Sequence, residues 1–409
     1  MELSYDLLKK IAENYGESFY LLDSKQFRRN FLELQEAFRK IYPKTYIAYS
    51  YKTNYIPALC KIVDELGGYA EVVSDMEVEI AKRVGVSPEK IIFNGPYKDW
   101  ETAKTLLLQG GCVNIDSLYE IEPIQKLAEE NTDKMLHIGI RCNFPINDGL
   151  LSRFGIDTDS EVFQKALLLL HDNKNIILEE LHCHFSSRKL ETWPPRAQGM
   201  IDIVKNQLGV IPEHIDLGGG LFGKMGEALK MQFDSYIPCY EEYAKAVATI
   251  MNDAFSEEEN KPKLFIEPGS ALVGDAMKFV AKVINIKEIR GKSIGTVLGS
   301  IYNINPTLNT KNPPIAVYHK EENNVRQYKD LDFGGYTCIE SDYLYRHYNG
   351  ELAVGDYVVF DNVGSYSIVL KPPFILPNFA IVDCSEDVGD VRLIKRAEVF
   401  DDLFHTYMF

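Results

Sequence analysis

Short apolar runs alternate with helical periodicity along the first two thirds of the chain. Residues 25–41 carry Phe27, Phe31, Leu34 and Phe38 at spacings of three and four, which predicts an amphipathic helix. From residue 46 onward, eight apolar runs suited to buried strands follow one another. They span residues 46–50, 69–73, 91–93, 113–115, 136–141, 178–184, 215–217 and 264–266. Strands that alternate with helices predict βαβ units and a parallel sheet.

Polar residues or glycines stand where each of these runs ends. The endings are Lys52-Thr-Asn54, Ser74-Asp75, Asn94-Gly95, Asp116-Ser117, Arg141-Cys-Asn143, His182-Cys-His184, Gly218-Gly-Gly220 and Glu267-Pro-Gly269. In a (β/α)₈ barrel the carboxyl ends of the strands meet on one face, where the active site lies. We therefore predict an α/β domain over residues 25–272, a TIM-like (β/α)₈ barrel. A doubly wound open sheet is the alternative fold, and many of the polar endings are also what ordinary loops contain.

The pattern changes after about residue 275, where extended runs replace the helical periodicity. The runs span residues 278–286, 295–304, 315–318, 357–360, 378–382 and 391–396. Turn signals such as Asn305-Pro306 and Gly334-Gly335 separate them. We predict an all-β domain of sandwich or barrel type over residues 273–409. Residues 18–22 are also strand-like, so residues 1–24 are assigned to the same domain.

Composition and charge narrow the function classes. The 409 residues carry a formal net charge of −16, which argues against a nucleic-acid or anionic-membrane partner. No apolar run approaches the roughly 20 residues of a membrane span, and the N-terminus lacks a basic-then-apolar signal. The seven cysteines form no C-x-x-C pair, so no zinc or redox motif is predicted. These features predict a cytoplasmic protein without a metal.

Three strand endings could together hold a phosphorylated pyridine ring. Consecutive glycines at 218–220 let backbone N–H groups close on a phosphate, although they also suit a plain tight turn. Glu267 could face a pyridine nitrogen, or could simply solvate a strand end. His182 and His184 point the same way in a strand, where stacking on a flat cofactor, zinc ligation and core packing are all open. Lys52 would then be a Schiff-base lysine for pyridoxal phosphate (PLP) rather than a solvated surface charge.

Two further candidates lie in the predicted β domain. Cys338 precedes Ile-Glu-Ser-Asp342, and a free cysteine can be a buried apolar residue or an acid. Tyr366 ends Gly364-Ser-Tyr366, where its hydroxyl could reach a phosphate or its ring could pack.

The motifs, taken in order, resemble the fold type III PLP-dependent decarboxylases. That family includes diaminopimelate, ornithine and arginine decarboxylases, and alanine racemase is a more distant relative. The matching motifs are Tyr-x-x-Lys-x-Asn at 49–54, His-x-x-Ser at 184–187, Gly-Gly-Gly at 218–220, Glu-Pro-Gly at 267–269, Cys-x-x-x-Asp at 338–342 and Gly-x-Tyr at 364–366. The resemblance covers nearly the whole chain and implies a barrel followed by an alanine racemase-like β domain.

The resemblance also implies a role for each motif. Lys52 would form the internal aldimine with PLP, Glu267 would pair with the pyridine nitrogen, and His184 would lie against the ring. The remaining cofactor ligands would be Ser187, Gly219, Gly220, Gly269 and Tyr366.

The resemblance further implies a homodimer with composite active sites, in which the β domain contributes to the interface and to the partner's site. Cys338 would come from the partner subunit and protonate the substrate carbanion after CO₂ leaves. Arg153 and Asp342 match positions that pair across the interface.

The chain departs from the family pattern where the substrate would bind. The family usually has arginine after Glu-Pro-Gly, whereas this chain has Ser270. The residue after the cysteine is commonly acidic, whereas here it is Ile339, which cannot pair with a distal ammonium group. Glu340 would point the other way in an extended segment. The usual aspartate before the Val-Ser motif is Glu71.

These departures predict α-decarboxylation of a small-molecule substrate, an amino acid that is modified or conjugated. Diaminopimelate or a basic amino acid is the alternative substrate. An amino-acid racemase is a second alternative, but such enzymes have arginine at the pyridine nitrogen where this chain has Glu267. A non-catalytic PLP-binding relative is a third, against which the presence of Lys52 and Cys338 argues.

Overall fold

The computed structural model describes residues 3–307, 310–320, 325–385 and 391–409. The chain forms two compact units. The barrel unit comprises Arg29–Phe222 and Ser235–Ala271. The sheet unit comprises Met1–Arg28, Gly223–Asp234 and Leu272–Phe409.

The strands of the described residues are numbered in chain order. They are β1 Phe19–Leu22, β2 Thr45–Ser50, β3 Tyr69–Val72, β4 Ile91–Phe93, β5 Cys112–Ile115, β6 Leu136–Asn143, β7 Ile156–Asp157, β8 Ile176–His182, β9 His214–Asp216, β10 Lys263–Ile266, β11 Met277–Ile289, β12 Lys292–Val297, β13 Ile315–Tyr318, β14 Arg326–Gly334, β15 Tyr343–Leu352, β16 Tyr357–Phe360, β17 Ala380–Asp383 and β18 Arg392–Lys395.

The α-helices of the described residues are numbered in the same way. They are α1 Tyr5–Tyr15, α2 Ser24–Arg39, α3 Pro57–Glu65, α4 Asp75–Val84, α5 Trp100–Leu108, α6 Ile121–Glu130, α7 Glu161–His171, α8 Trp193–Ile203, α9 Glu227–Lys230, α10 Tyr240–Ala254, α11 Ser270–Val273, α12 Ile301–Ile304 and α13 Phe400–Phe404. Among these residues, no helix has the length and apolar character that a bilayer crossing requires.

The barrel unit is a closed parallel barrel of eight strands. The order is β2-β3-β4-β5-β6-β8-β9-β10, and β10 pairs with β2 to close the ring. These strands coincide with the eight predicted runs, so the predicted barrel is confirmed and the open sheet is excluded. Ala48, Ile92 and Phe265 are buried together, and Tyr46 and Tyr69 pack against them.

Some of the polar strand endings serve the fold. Ser74 begins α4 as its N-cap, because its hydroxyl accepts the N–H of Glu77 at 3.3 Å. The carboxylate of Glu77 in turn accepts the N–H of Val73 at 2.8 Å. This reciprocal pairing satisfies orphan donors at the start of the helix. Only part of the predicted polar rim is therefore available for chemistry.

The sheet unit is built on a mixed sheet with the order β15-β14-β12-β11-β1-β17-β18, and β16 pairs with β11 and β13. Strand β1 pairs antiparallel with β11 and parallel with β17. Residues 19–22 thus lie within this sheet, between β11 and β17. Helix α1 covers a buried cluster that includes Leu8, Phe19, Val280, Val359 and Val382.

Two details of the β domain were predicted wrongly. Residues 295–304 form the end of β12 and then the helical turn α12 rather than one extended run. The turn forms because Asp342 accepts the N–H of Ile301 at 2.7 Å, and Asn303 accepts the N–H of Ser300 at 2.8 Å. Strands β14 and β15 were not predicted, because their largely exposed polar residues hide the period-2 alternation.

Candidate active site

Lys52 lies in a single 3₁₀ turn, Tyr51–Thr53, directly after β2. Its ammonium makes an ion pair with the buried carboxylate of Glu71 at the end of β3, and 31% of the lysine side chain is exposed. Thr53 fixes this turn against the end of β10, because a Cβ on Gly269 would lie 2.0 Å from Thr53 Oγ1. Gly269 is thus required for a close approach that orients the turn carrying Lys52.

A chain of buried amides and carboxylates crosses the barrel interior from Glu71. The amide nitrogen of Asn94 donates to Glu71 Oε1 at 3.3 Å and to Glu267 Oε1. Asn114 donates to Asn94 Oδ1 at 2.6 Å and to a carboxylate oxygen of Glu180. All five side chains are buried. Because buried carboxylates need hydrogen-bond donors, the two asparagines hold these acids in fixed positions.

Glu267 and Asp216 are two neighbouring buried acids whose pKa values are shifted in opposite directions. His182 Nε2 lies 3.3 Å from Glu267 Oε1, and His182, Asp216 and Glu267 offer atoms within 4.8 Å of one another. Burial raises the pKa of Asp216 well above its usual value, and the charge of Glu267 adds to this. Burial also opposes ionisation of Glu267, but His182, then His184 and then the charge of Lys52 outweigh it and hold the pKa of Glu267 well below its usual value. Glu267 is therefore ionised at neutral pH, whereas the surroundings of Asp216 favour its protonated form.

His184 is a neutral imidazole held in one tautomer. Its Nδ1 accepts the N–H of Gly219 at 3.0 Å and lies 3.7 Å from Glu267 Oε2, which is too long for a hydrogen bond. Burial lowers the pKa of His184 to about 4, although 28% of the side chain stays accessible. The ring is therefore uncharged at neutral pH, with its proton on Nε2.

The three glycines after β9 leave no room for side chains. A Cβ on Gly218 would lie 2.4 Å from Cys183 O, and one on Gly219 would lie 2.3 Å from Glu267 O. Gly220 has φ +93°, and its Cβ would lie 3.0 Å from Ser187 O. The loop thus brings bare backbone against the ends of β8 and β10, as a backbone anion site requires.

The structure brings Lys52, His184, Gly219, Gly220 and Glu267 together around the carboxyl ends of the barrel strands, linked through the contacts above. Ser187 follows β8, and its carbonyl lies against Gly220. Ser270 begins the short helix α11 directly after Gly269. Arg153 is exposed, with its guanidinium carbon 4.0 Å from the centre of the Phe154 ring.

The other predicted site residues belong to the sheet unit. Cys338 and Glu340 are exposed, and Ile339 is partly buried. Asp342 is buried and accepts bonds from Ser300, Ile301 and Thr337 within its own unit. Asp342 therefore shapes the loop that carries Cys338.

Tyr366 has a positive φ of 63°. The turn that carries Tyr366 packs closely against Val273, because a Cβ on Gly364 would lie only 1.9 Å from Val273 O.

Asp216, Asn114 and Glu180 are part of the buried network but were not singled out from the sequence. Asp216 is the last residue of β9 and stands two residues before Gly218. The period-2 alternation of a strand would have aimed it into the same interior as the other network residues. The contacts of Asn114 and Glu180 join different strands, so nothing local in the sequence marks them.

Comparison with known proteins agrees with this geometry. Residues 27–274 match the family model for the pyridoxal binding domain of pyridoxal-dependent decarboxylases. The diaminopimelate decarboxylase of Methanocaldococcus jannaschii is 28% identical over 98% of this chain and 92% of that protein. A crystal structure of diaminopimelate decarboxylase from M. jannaschii in co-complex with L-lysine superposes with a TM-score of 0.83 at 25% identity, covering 98% of this chain and 94% of that one.

The fold is shared more widely still. Lysine decarboxylase from Selenomonas ruminantium superposes with a TM-score of 0.76 at 20% identity, covering 99% of this chain and 98% of that one. The family match spans more than half of the 409 residues and includes the strand endings that carry the buried acids and Lys52. The chain belongs to the PLP-dependent decarboxylases.

Proposed function

We propose that this enzyme removes the α-carboxylate of an amino acid, and that Glu267 makes it a decarboxylase rather than a racemase. The observation that supports this is the ionised, buried carboxylate of Glu267, whose pKa is held well below its usual value. A carboxylate beside a pyridine nitrogen favours the protonated ring. Bound PLP then supplies the electron sink that accommodates negative charge at Cα when CO₂ leaves.

The residues at the barrel mouth fit PLP in chemistry, because an amine, a carboxylate, a neutral imidazole and bare backbone lie together there. Lys52 would hold the aldehyde carbon through its ε-amino nitrogen, and Glu71 would keep that nitrogen near the mouth when substrate displaces it. The neutral ring of His184 suits contact with a flat cofactor ring. A charged imidazolium there would disfavour protonation of the pyridine nitrogen, because the two positive charges would repel each other. The backbone N–H of Gly220, with Ser187, would hold the phosphate, because the N–H of Gly219 already donates to His184. Gly219 would let this backbone approach closely, and Gly269 would keep Lys52 in position.

Cys338 of a partner subunit would complete the site. Its Sγ–H would deliver a proton to the substrate Cα, leaving a thiolate that regains its proton from water. The exposure of Cys338 in its own chain supports such a role in a neighbour's site. An ion pair between Arg153 and the partner's Asp342 is part of this proposal, although Asp342 also holds its own loop.

Subunit mixing tests the composite site. Lys52→Ala and Cys338→Ala chains are each expected to be inactive, whereas random mixing should restore about one quarter of the wild-type activity, because half of the dimers would contain one intact site. A mixture that stays inactive while exchange of subunits is verified would contradict a shared site.

The substrate is proposed to be an amino acid whose distal end is modified or conjugated. Ile339 stands where the family has an acidic residue, so this position offers no partner for a free ammonium group. Ser270 stands where the family has an arginine, so a fixed cation that could bind phosphate or substrate is absent from this position. Diaminopimelate is the second candidate, because the relatives at 26–28% identity carry that name.

A CO₂-release screen of the purified enzyme separates the two candidates. The panel contains meso-diaminopimelate, ornithine, arginine, lysine and distally acylated or carboxylated amino acids. We expect kcat/KM to be higher for a distally modified compound than for any free diamino acid. Efficient turnover of meso-diaminopimelate or ornithine would rule out the modified substrate.

A further inference from the structure

One arginine is completely buried between the two loops proposed to bind phosphate. Arg196 lies in the first turns of α8 and has 0% exposure. Its Nη1 donates to Gly219 O at 2.7 Å, and its Nη2 donates to Ser187 O at 2.6 Å and to Phe185 O at 3.3 Å. A single side chain thus links the loop after β8 to the loop after β9.

The direction of these bonds decides where the loop amides point. In a planar trans peptide the C=O and the following N–H point in opposite directions. Because Gly219 O points at Arg196, the N–H of Gly220 points away from Arg196. The same argument turns the N–H groups that follow Phe185 and Ser187 away from it. The guanidinium therefore orients amide donors that a backbone phosphate site would use.

Arg196 is itself held rigidly. Its guanidinium carbon lies 4.3 Å from the centre of the Trp193 ring, and Trp193 packs edge-on against Tyr243 at 5.4 Å. Pro194 and Pro195 follow Trp193 in the first turn of α8, where proline stiffens the chain without loss of a helix bond. Burial lowers the pKa of Arg196 only to about 10, so the side chain stays charged at neutral pH.

We propose that Arg196 is the positioning residue of the phosphate site, and that it gives the enzyme its preference for the phosphorylated cofactor. It does so without touching the phosphate, by aiming the loop amides and by placing a buried positive charge behind them. This charge would take over part of the role of the arginine that the family has where this chain has Ser270. The inference rests on the proposed function, which assigns the phosphate to Gly220 and Ser187.

The test compares PLP with pyridoxal, which has the same ring and aldehyde but no phosphate. Full-length wild type, Arg196→Met and Arg196→Lys are stripped of cofactor and titrated with each compound, and binding is followed by visible absorbance. Arg39→Met is the matched control, because Arg39 also donates to a backbone carbonyl, Thr45 O at 2.8 Å, and lies on the Tyr46 ring in the same unit.

Loss of the charged hydrogen bonds in Arg196→Met should weaken PLP binding about 10- to 100-fold. Pyridoxal affinity should stay within about twofold, since it does not use the loop amides. Arg196→Lys keeps the positive charge but not the two-pronged donor geometry of the guanidinium. It should therefore recover part of the preference for PLP over pyridoxal. The ³¹P shift of bound PLP should move in both variants, and Arg39→Met should resemble wild type in every measurement.

The outcomes separate the two levels of the proposal. A wild type that binds PLP no better than pyridoxal would overturn the phosphate assignment itself. A wild type that prefers PLP, together with Arg196 variants that lose both compounds equally, lose neither, or fail to fold, would overturn the role of Arg196 alone. Selective loss of PLP with partial rescue by lysine supports it.

Discussion

The two ends of the barrel carry similar residues in different states. At the mouth, formed by the carboxyl ends of the strands, Lys52, Glu71, His182 and Glu267 meet around buried asparagines. At the opposite end, His137, Glu179, Glu213, His214 and Lys263 form a second cluster of imidazoles, carboxylates and one lysine. A list of residue types would not distinguish the two.

The opposite end is an ordinary ion-pair network. Lys263 Nζ lies 2.7 Å from Glu213 Oε1 and 3.2 Å from His214 Nε2. The hydrogen bond from Lys263 lowers the pKa of Glu213, and the bond to Glu179 raises the pKa of His137. Although burial opposes it, the bond to Glu213 raises the pKa of Lys263. His137, Glu213 and Lys263 are thus each stabilised in the charged form.

At the mouth, by contrast, the pKa values of two like groups are shifted in opposite directions. Of two adjacent buried acids, the pKa of Asp216 is raised and that of Glu267 is lowered. Environments that separate the pKa values of neighbouring acids are typical of catalytic sites, whereas mutual charge pairing is typical of structural networks. What distinguishes the functional end is therefore the state of its groups rather than their identity.

The largest expected difference lies between the two lysines. Lys52→Ala should abolish the yellow colour of the purified enzyme and reduce decarboxylation more than about 1,000-fold, because the attachment point of PLP is lost. Lys263→Ala, at the opposite end, should keep the colour and most of the activity. Visible absorbance and CO₂ release measure both. A coloured Lys52→Ala enzyme would show that PLP is attached elsewhere.

A smaller difference in activity is expected between Glu267 at the mouth and Glu213 at the opposite end, again with the larger loss at the mouth. Glu267→Gln keeps the side-chain shape and removes the charge, so kcat should fall about 100-fold while PLP remains bound. Glu213→Gln should leave kcat within about twofold, because exposed ion pairs contribute little. Steady-state kinetics and cofactor content test this pair. Equal losses in both variants would contradict the distinction between the two ends.

A smaller effect is expected within the buried acid pair. Asp216→Asn keeps an oxygen to accept the N–H of Gly218, which is now bound at 2.7 Å. Because burial and the charge of Glu267 raise the pKa of Asp216 and favour its neutral form, a neutral amide is a close substitute, and kcat should fall less than about 10-fold. A loss as large as that of Glu267→Gln, measured by the same kinetics, would mean that Asp216 works as an anion.

The sequence predicted the barrel well because each strand carries its own signal. Apolar runs such as 46–50 and 264–266 are local features, and parallel strands buried on both sides are apolar throughout. It failed where long-range contacts decide the structure. The helical turn at Ile301 depends on Asp342, 41 residues away, and the exposed strands β14 and β15 form through their pairing with each other.

The same contrast holds for the candidate site. Lys52, Glu267 and the three glycines stand in recognisable strings, so they could be picked out directly. Arg196 and Asp216 belong to no such string, and their importance comes from burial and from contacts with other strand ends. The opposite shifts in the pKa values of Asp216 and Glu267 are a property of the folded barrel, and no linear motif carries them.

The smallest expected effect concerns stability at the opposite end of the barrel. The bond between His137 Nδ1 and Glu179 Oε2, at 2.9 Å, raises the pKa of His137 in the folded state above its ordinary value of 6.5. The folded protein therefore binds this proton more tightly than the unfolded chain. The stabilisation should be fully present below about pH 6.5 and disappear as the pH rises through the folded pKa. Since His137 is 30% exposed, solvent screening limits this stabilisation to about 1 kcal/mol or less.

Urea unfolding of wild type and His137→Asn at several pH values measures this stabilisation, with fluorescence from Trp100 and Trp193, which both lie in the barrel unit. The wild-type advantage should shrink with rising pH, and Glu179→Gln should remove the same dependence. An advantage that grows toward alkaline pH would mean that the pair is not held by charge, and the contrast between the two ends of the barrel would then fail.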